Sequence, residues 1–324
     1  MKLDWLTDSW YQPGLLRWLL SPLSGLFRLI TSLRRLAYQY GFLNSQRLPA
    51  PVIIVGNISV GGSGKTPLVL WLVQQLQQRG WRPGIISRGY GGKAANYPLT
   101  VTNKTPARES GDEPKLLALR SQCPVVVAPD RVAAGRQLLE TSGCNVIISD
   151  DGLQHYRLQR DLELVVVDAR RGFGNGFCLP AGPLREPLSR LNNVDFVIWH
   201  GDTEKPWTMQ LQINELVNLR DQHRQPLKDW HGRAVHAVAG IGDPPRFFNQ
   251  LRAAGLDVTE HAFADHHVFT AADLRFADDL PVLMTEKDAV KCQAFAEANC
   301  WSVPADAILT DALADTIDRR LKEK

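Results

Sequence analysis

The sequence contains no long uncharged apolar run. A membrane-spanning helix needs about 20 nearly uninterrupted apolar residues. In the greasiest stretch, "PGLLRWLLSPLSGLFRLITSLRRL", Arg17 and Arg28 interrupt the run. An apolar core followed by a small-residue cleavage site is also missing, so no secretory signal is expected. Cysteine is scarce: Cys123, Cys144, Cys178, Cys292 and Cys300 are scattered over 324 residues, and none belongs to a C-x-x-C pair. Such a set argues against a disulfide framework or a zinc site and fits a reducing compartment. A strong excess of one charge is lacking too. The net charge of +3 creates no global field for a polyanion, and no nucleic-acid partner is expected. No internal repeat or low-complexity tract is found.

What is present is ordinary globular composition, 44% hydrophobic and 22% charged, in a chain long enough for two domains. The positive charge is concentrated. From Met1 to Arg47 six basic residues face two acidic ones, which leaves the remainder near neutral. Within this segment Leu16, Leu19, Leu20, Leu23, Leu26, Phe27, Ile30 and Leu33 recur at steps of three and four, a helical apolar stripe. Arg17, Ser21, Ser24, Arg28, Arg34 and Arg35 fall mostly off it. Pro22 predicts a kink or the start of a second helical half. Two readings fit this pattern. One is a core-packed helix pair. The other is an interfacial helix on an anionic membrane, with Trp5, Trp10 and Trp18 at headgroup depth.

Beyond residue 45 the pattern alternates between short β-branched runs and helical stretches. "APVIIVGNISV", "RPGIISRGYGG", "PVVVAPDR", "NVIISDDG", "LELVVVDA" and "VDFVIWH" read as strands of a parallel sheet wrapped by helices. Residues 206–230 are polar and irregular apart from "MQLQINELVNL", which alternates like an exposed strand and reads as a linker. A second α/β pattern follows. Strands are expected in "AVHAVAGIG", "DVTEHAFAD" and "PVLMTEKD", and helices in "PPRFFNQLRAAG", "TAADLRFADD" and "AVKCQAFAEAN". The expected domains are thus an N-terminal amphipathic segment (1–45), a phosphate-loop domain (46–205), the linker (206–230) and a smaller α/β domain (231–324). The last helix is a candidate to pack back on the first domain.

The chemistry starts at residues 59–66, "SVGGSGKT". The common nucleotide loop is G-x-x-x-x-G-K-[ST]. Gly64, Lys65 and Thr66 match its end, while Ser59 replaces the first glycine and Gly61 and Gly62 supply flexibility nearby. The strand–loop–helix context predicts that the backbone N–H groups of Ser59, Val60, Gly61, Gly62, Ser63 and Gly64 cradle phosphates at a helix N-terminus. Lys65 would reach the β- and γ-phosphates, and Thr66 the Mg²⁺. Asp150 and Asp151 end an apolar strand, where a carboxylate holds Mg²⁺ in many such proteins. "ESGDEP" offers Asp112 and Glu113 as acids able to orient or deprotonate an acceptor hydroxyl, or as a helix cap. In the glycine- and proline-rich stretch 172–187, Arg185 could neutralise charge on a transferring phosphoryl group and Glu186 could bind metal. His266 and His267 lie in "ADHHVF". "TEKD" (285–288) has the letters of the guanine-reading [NT]-K-x-D turn at the wrong spacing, which lowers a GTPase reading.

Together, "GNISVGGSGKTP", "SRGYGG", "GDEP", "DDGLQH", "PAGPLREP", "DHH" and "TEKD" occur in one order across residues 56–288. This set resembles the tetraacyldisaccharide 4′-kinase family of lipid A biosynthesis over essentially the whole chain. The serine in the phosphate loop and the short N-terminal membrane segment are part of the resemblance. It implies a phosphate-loop NTPase-like fold: two α/β/α domains joined by a strand-like linker and closing over the site. It implies ATP and Mg²⁺ as cofactors and transfer of the γ-phosphate to the 4′-hydroxyl of a tetraacyldisaccharide 1-phosphate. It also implies a peripheral or monotopic place on the cytoplasmic face of a bacterial inner membrane. Asp112 looks like the family's catalytic carboxylate, with either His266 or His267 as partner, and Arg185 and Glu186 match positions near the phosphates and metal. A monomer is expected. The competing readings are another small-molecule kinase of the same loop class and a membrane-bound nucleotide switch.

Overall fold

The computed structural model describes residues 7, 9–12 and 14–324. Trp5 lies outside them.

The apolar stripe forms one helix, α1 (Leu16–Gln39), unbroken at Pro22. Proline cannot donate to the carbonyl four residues back, and the Ser21 hydroxyl instead donates to that Trp18 oxygen at 2.8 Å. The stripe faces outward: Leu15, Leu19, Leu23, Leu26, Ile30 and Leu33 are all more than half exposed, with Leu19 at 76%. A core-packed helix pair is therefore not what forms. The helix leans on the body through a narrow line, where buried Ser24 donates to Cys178 O at 2.7 Å and Trp18 meets Phe177 edge-on at 5.9 Å. Trp10, expected at headgroup depth, is instead buried and donates to Pro180 O at 3.0 Å. Among the described residues no helix is long and apolar enough to cross a membrane.

The first domain carries a nine-stranded mixed sheet. In chain order its strands are β1 (Val52–Gly56), β2 (Pro83–Ser87), β3 (Leu99–Val101), β4 (Val125–Val127), β5 (Val146–Asp150), β6 (Leu162–Asp168), β7 (Phe196–His200), β8 (Thr208–Gln212) and, far downstream, β15 (Asp306–Ile308). The spatial order is β15-β8-β7-β6-β1-β5-β2-β4-β3. The centre is parallel, as the continuous apolar runs predict. Only the edges, β3 on β4 and β15 on β8, are antiparallel. Helices α2 (Lys65–Gln78) and α3 (Asp112–Ser121) cover one face, and α4 (Arg131–Thr141) covers the other.

The stretch expected as a linker is divided between two sheets. After β8, only Ile213 and Asn214 intervene before β9 (Glu215–Asn218), and β10 (Arg224–Pro226) follows. These two begin a six-stranded sheet, completed by β11 (Ala234–Ala239), β12 (Asp257–Ala262), β13 (Val282–Thr285) and β14 (Cys300–Val303), in the order β10-β9-β14-β13-β11-β12. Helices α5 (Pro244–Ala253) and α6 (Glu286–Cys292) flank it. The expected helix at "TAADLRFADD" shrinks to one turn, Ala271–Leu274, closed by a Thr270–Asp273 capping box. Helix α6 starts three residues earlier than its apolar pattern, because the Thr285 hydroxyl accepts from the Asp288 N–H as its cap. Past β14 the chain returns to pair β15 with β8. The last helix, α7 (Asp311–Lys322), buries Leu313, Ala314, Ile317 and Leu321 in the first domain's core. The second domain is thus inserted into the first, with two short crossings between them.

Candidate active site

Strand β1 delivers the chain into the glycine loop, and α2 leaves it. Gly64 is required here. Its φ of +93° is left-handed, and a Cβ would lie 2.6 Å from His200 Nδ1. Ser59, by contrast, forms an antiparallel bridge with Leu184, so its position asks for no glycine. The loop 172–187 supports the phosphate loop from behind. Val60 N–H donates to Pro183 O at 2.8 Å, and Arg185 N–H donates to Ile58 O at 2.6 Å. The same loop receives Trp10 and Ser24, so the N-terminal segment and the phosphate loop rest on one support.

Asp151 sits at the end of β5 in a left-handed turn and gathers the cations. Arg185 donates to it at 3.2 Å, and Lys65 Nζ stands 3.6 Å away. Burial raises its pKa, but the Lys65 and Arg185 charges outweigh that and hold the carboxyl below the usual range. Asp150, one residue earlier, is fully buried. Ser87 donates to one oxygen at 3.3 Å, while Oδ1 has no partner among the described residues. Burial, then the charges of Glu113 and Asp151, push its pKa up to about 7. A buried carboxylate oxygen without a donor fits a hard cation that takes its other ligands from phosphate and water. Among the described residues no cluster of three His, Cys, Asp or Glu has metal-binding geometry. Glu186 is placed differently from its expected neighbourhood of ligands. It is buried and tied to Gln154, Tyr156 and Arg190, and anchors the supporting loop.

The sequence left His266 and His267 as alternatives; geometry separates them. His266 Nδ1 lies 3.3 Å from Asp112 Oδ2, across the domain boundary. His267 Nε2 turns to Asp273 at 3.4 Å, with its ring between Phe263 and Phe269. Asp112 is the first residue of α3, where the helix N-terminus favours a carboxylate. A cavity of about 440 Å³ opens between the domains, lined by residues 60–66, Asp151 and Arg185 on one side and by Arg246, His266 and Lys287 on the other. Glu113 lines it as well. Asp112 stands just behind, at the His266 contact.

A second contact joins the domains beside the phosphate loop. His200, at the end of β7, makes a 2.9 Å hydrogen bond with Ser63 O through Nδ1 and a 2.5 Å one with Arg246 through Nε2. Arg246 also donates to Asp168 at 3.3 Å. The sequence reading missed Asp168, His200 and Arg246. The first two had a signal, since both end parallel strands at the edge where ligands bind. Arg246 on α5 had none. Burial first, and then the Arg246 charge, press the His200 pKa down from 6.5 to about 4. The unfolded chain therefore binds the proton that the fold refuses. This contribution to stability is intact above pH ~6.5 and is lost as pH falls toward about 4, roughly 3 kcal/mol at the limit. The melting temperature is expected to drop over that window, and less steeply in His200→Gln. Parallel pH–melting curves for the two proteins would overturn this assignment.

The family model described as tetraacyldisaccharide-1-P 4′-kinase (LpxK) matches residues 16–322. The tetraacyldisaccharide 4′-kinase of Nitrosococcus oceani is 54% identical over 93% of this chain and 89% of its own. That of Haemophilus influenzae is 52% identical over 94% and 92%. A crystal structure of LpxK from Aquifex aeolicus in complex with ATP superposes with a TM-score of 0.80 at 34% identity, covering 94% of this chain and 99% of that one. By sequence along nearly its whole length, and by a fold shared with an ATP-bound relative, this chain belongs to the tetraacyldisaccharide 4′-kinase family.

Proposed function

We propose that the chain transfers the γ-phosphate of ATP to the 4′-hydroxyl of a tetraacyldisaccharide 1-phosphate. The observation that carries this reading is one cavity bounded by a phosphate loop from one domain and by His266, bound to Asp112, from the other. The N–H groups of residues 59–66 hold the phosphates, and Lys65 sits at the β- and γ-phosphates. Arg185 neutralises charge on the phosphoryl group as it moves. Asp151 keeps Lys65 and Arg185 side by side before ATP arrives. Mg²⁺, when bound, offsets phosphate charge; Thr66 and Asp150 are the residues to hold it, and Glu186 steadies the loop behind. Asp112 accepts the proton of the sugar hydroxyl late in the transfer, with His266 holding its carboxylate in place. Every group named lies in one chain, so a monomer suffices. The test is γ-labelled ATP with the detergent-dispersed acceptor. Label is expected in the lipid at the 4′ position. Steady nucleotide hydrolysis with no labelled lipid would instead favour a nucleotide switch.

We also infer that α1 lies in the surface of the cytoplasmic face of a bacterial inner membrane. Its exposed stripe, with arginines at the flanks, suits an anionic interface. Replacing Leu19, Leu23 and Ile30 together with glutamate is expected to abolish sedimentation with anionic vesicles. The contacts of Trp10 and Ser24, and so the fold, are retained. A triple variant that still sediments fully would overturn this placement.

A further inference from the structure

Lys287, the lysine of "TEKD", has no role in the account so far. It is the second residue of α6, and its side chain is mostly buried. Its ammonium reaches three groups: Glu113 at 3.3 Å, Asp265 at 3.3 Å and Nε2 of His266 at 3.4 Å. An ammonium only donates. Nε2 of His266 must therefore present its lone pair. On the other side of the ring Nδ1 faces the Asp112 carboxylate, which only accepts when ionised, so Nδ1 must carry the proton. Both contacts demand the same neutral tautomer.

The residue that carries the ring is held in place. His266 has a φ of +58°, a backbone state unusual for a residue with a Cβ. Its N–H donates to Gly240 O at 3.2 Å, and the Tyr90 ring lies against it at 5.4 Å. The other charged groups around it are accounted for. Asp265 and Glu113 are paired with Lys287 itself, and Lys291 is bound to Asp288 at 2.6 Å while standing 3.9 Å from Asp112.

We propose that Lys287 is a positioning residue that selects the Nδ1–H tautomer of His266. Asp112 then receives its hydrogen bond from a neutral imidazole. An imidazolium in the same place would stabilise the Asp112 carboxylate by a full charge and make it a poorer base. This assignment rests on the reading of Asp112 and His266 as a pair acting on the acceptor hydroxyl.

The test uses full-length protein with nitrogen-15-labelled histidine, the His266 signals being identified by their loss in His266→Asn. At neutral pH without nucleotide, the wild type is expected to show His266 protonated on Nδ1 alone, a result that needs no other variant to fold. Lys287→Met is expected to add a proton at Nε2 or to mix the tautomers. It should lower kcat about tenfold with the KM for ATP within about twofold, and Lys287→Arg should restore both tautomer and rate. A wild-type ring protonated on Nε2 would overturn the proposal. So would an unchanged tautomer in Lys287→Met, or a loss confined to the KM for ATP, which would make Lys287 a phosphate anchor. If the tautomer responds as expected but His266→Ala keeps its full rate, the tautomer assignment stands and the paired role of Asp112 and His266 fails.

Discussion

Lys65→Ala is expected to reduce kcat by about 10²–10³ and to leave the fold standing. Its ammonium sits in a part-buried site facing Asp151, where a charge is worth more than in open water. Phosphoryl transfer makes little demand on covalent chemistry and a large one on charge neutralisation, so the loss falls on kcat. Removing Lys65 does not leave Asp151 stranded, because Arg185 still holds it at 3.2 Å. The variant should therefore melt within a few degrees of the wild type. Arginine at this position is expected to rescue poorly, since its planar fork cannot replace a compact charge between two phosphates. A folded Lys65→Ala protein keeping a tenth or more of the rate would remove the phosphate-loop assignment.

Asp112→Ala is expected to cost about 10²–10⁴ in kcat/KM, the range for a lost general base. His266→Ala should cost less, since Asp112 remains. On the proposed mechanism the two side chains act as one unit, so the double variant should be little worse than Asp112→Ala alone. His267→Ala should stay within about twofold of wild type at fixed stability, because its ring nitrogen is bound to Asp273 and not to Asp112. A double-mutant cycle with additive losses for Asp112 and His266 would show that the histidine works elsewhere. Glu113, which lines the cavity beside it, would then be the acid to examine.

The parts of the site legible in the sequence were those written by local rules. A strand, a glycine turn and a helix follow one another at residues 52–78, so the loop could be placed without knowing what surrounds it. Asp150 and Asp151 were legible for the same reason, at the end of a buried strand. What distance along the chain conceals was not legible. Asp112 and His266 are 154 residues apart, and only the inserted second domain brings them together. The alternating run at 208–218 looked like one linker strand because alternation does not say which sheet a strand joins. Its first half pairs with β7 and β15, and its second half with β10 and β14. Trp10 and Trp18 are eight residues apart and chemically alike, yet one is buried and the other exposed. The difference is made by Pro180, whose carbonyl accepts from Trp10.

The return of the chain to its first domain also separates the completion of the two sheets along the sequence. Domains generally fold as units, starting from the N-terminus as the chain emerges. Here the domain begun first is finished last. Strands β9 to β14, residues 215–303, can close on themselves while the phosphate-loop sheet still lacks its edge strand β15. The side of α2 that packs against α7 stays uncovered until α7 is made. A chain truncated at residue 303 would thus retain every strand of the second sheet while lacking β15 and α7 of the first domain.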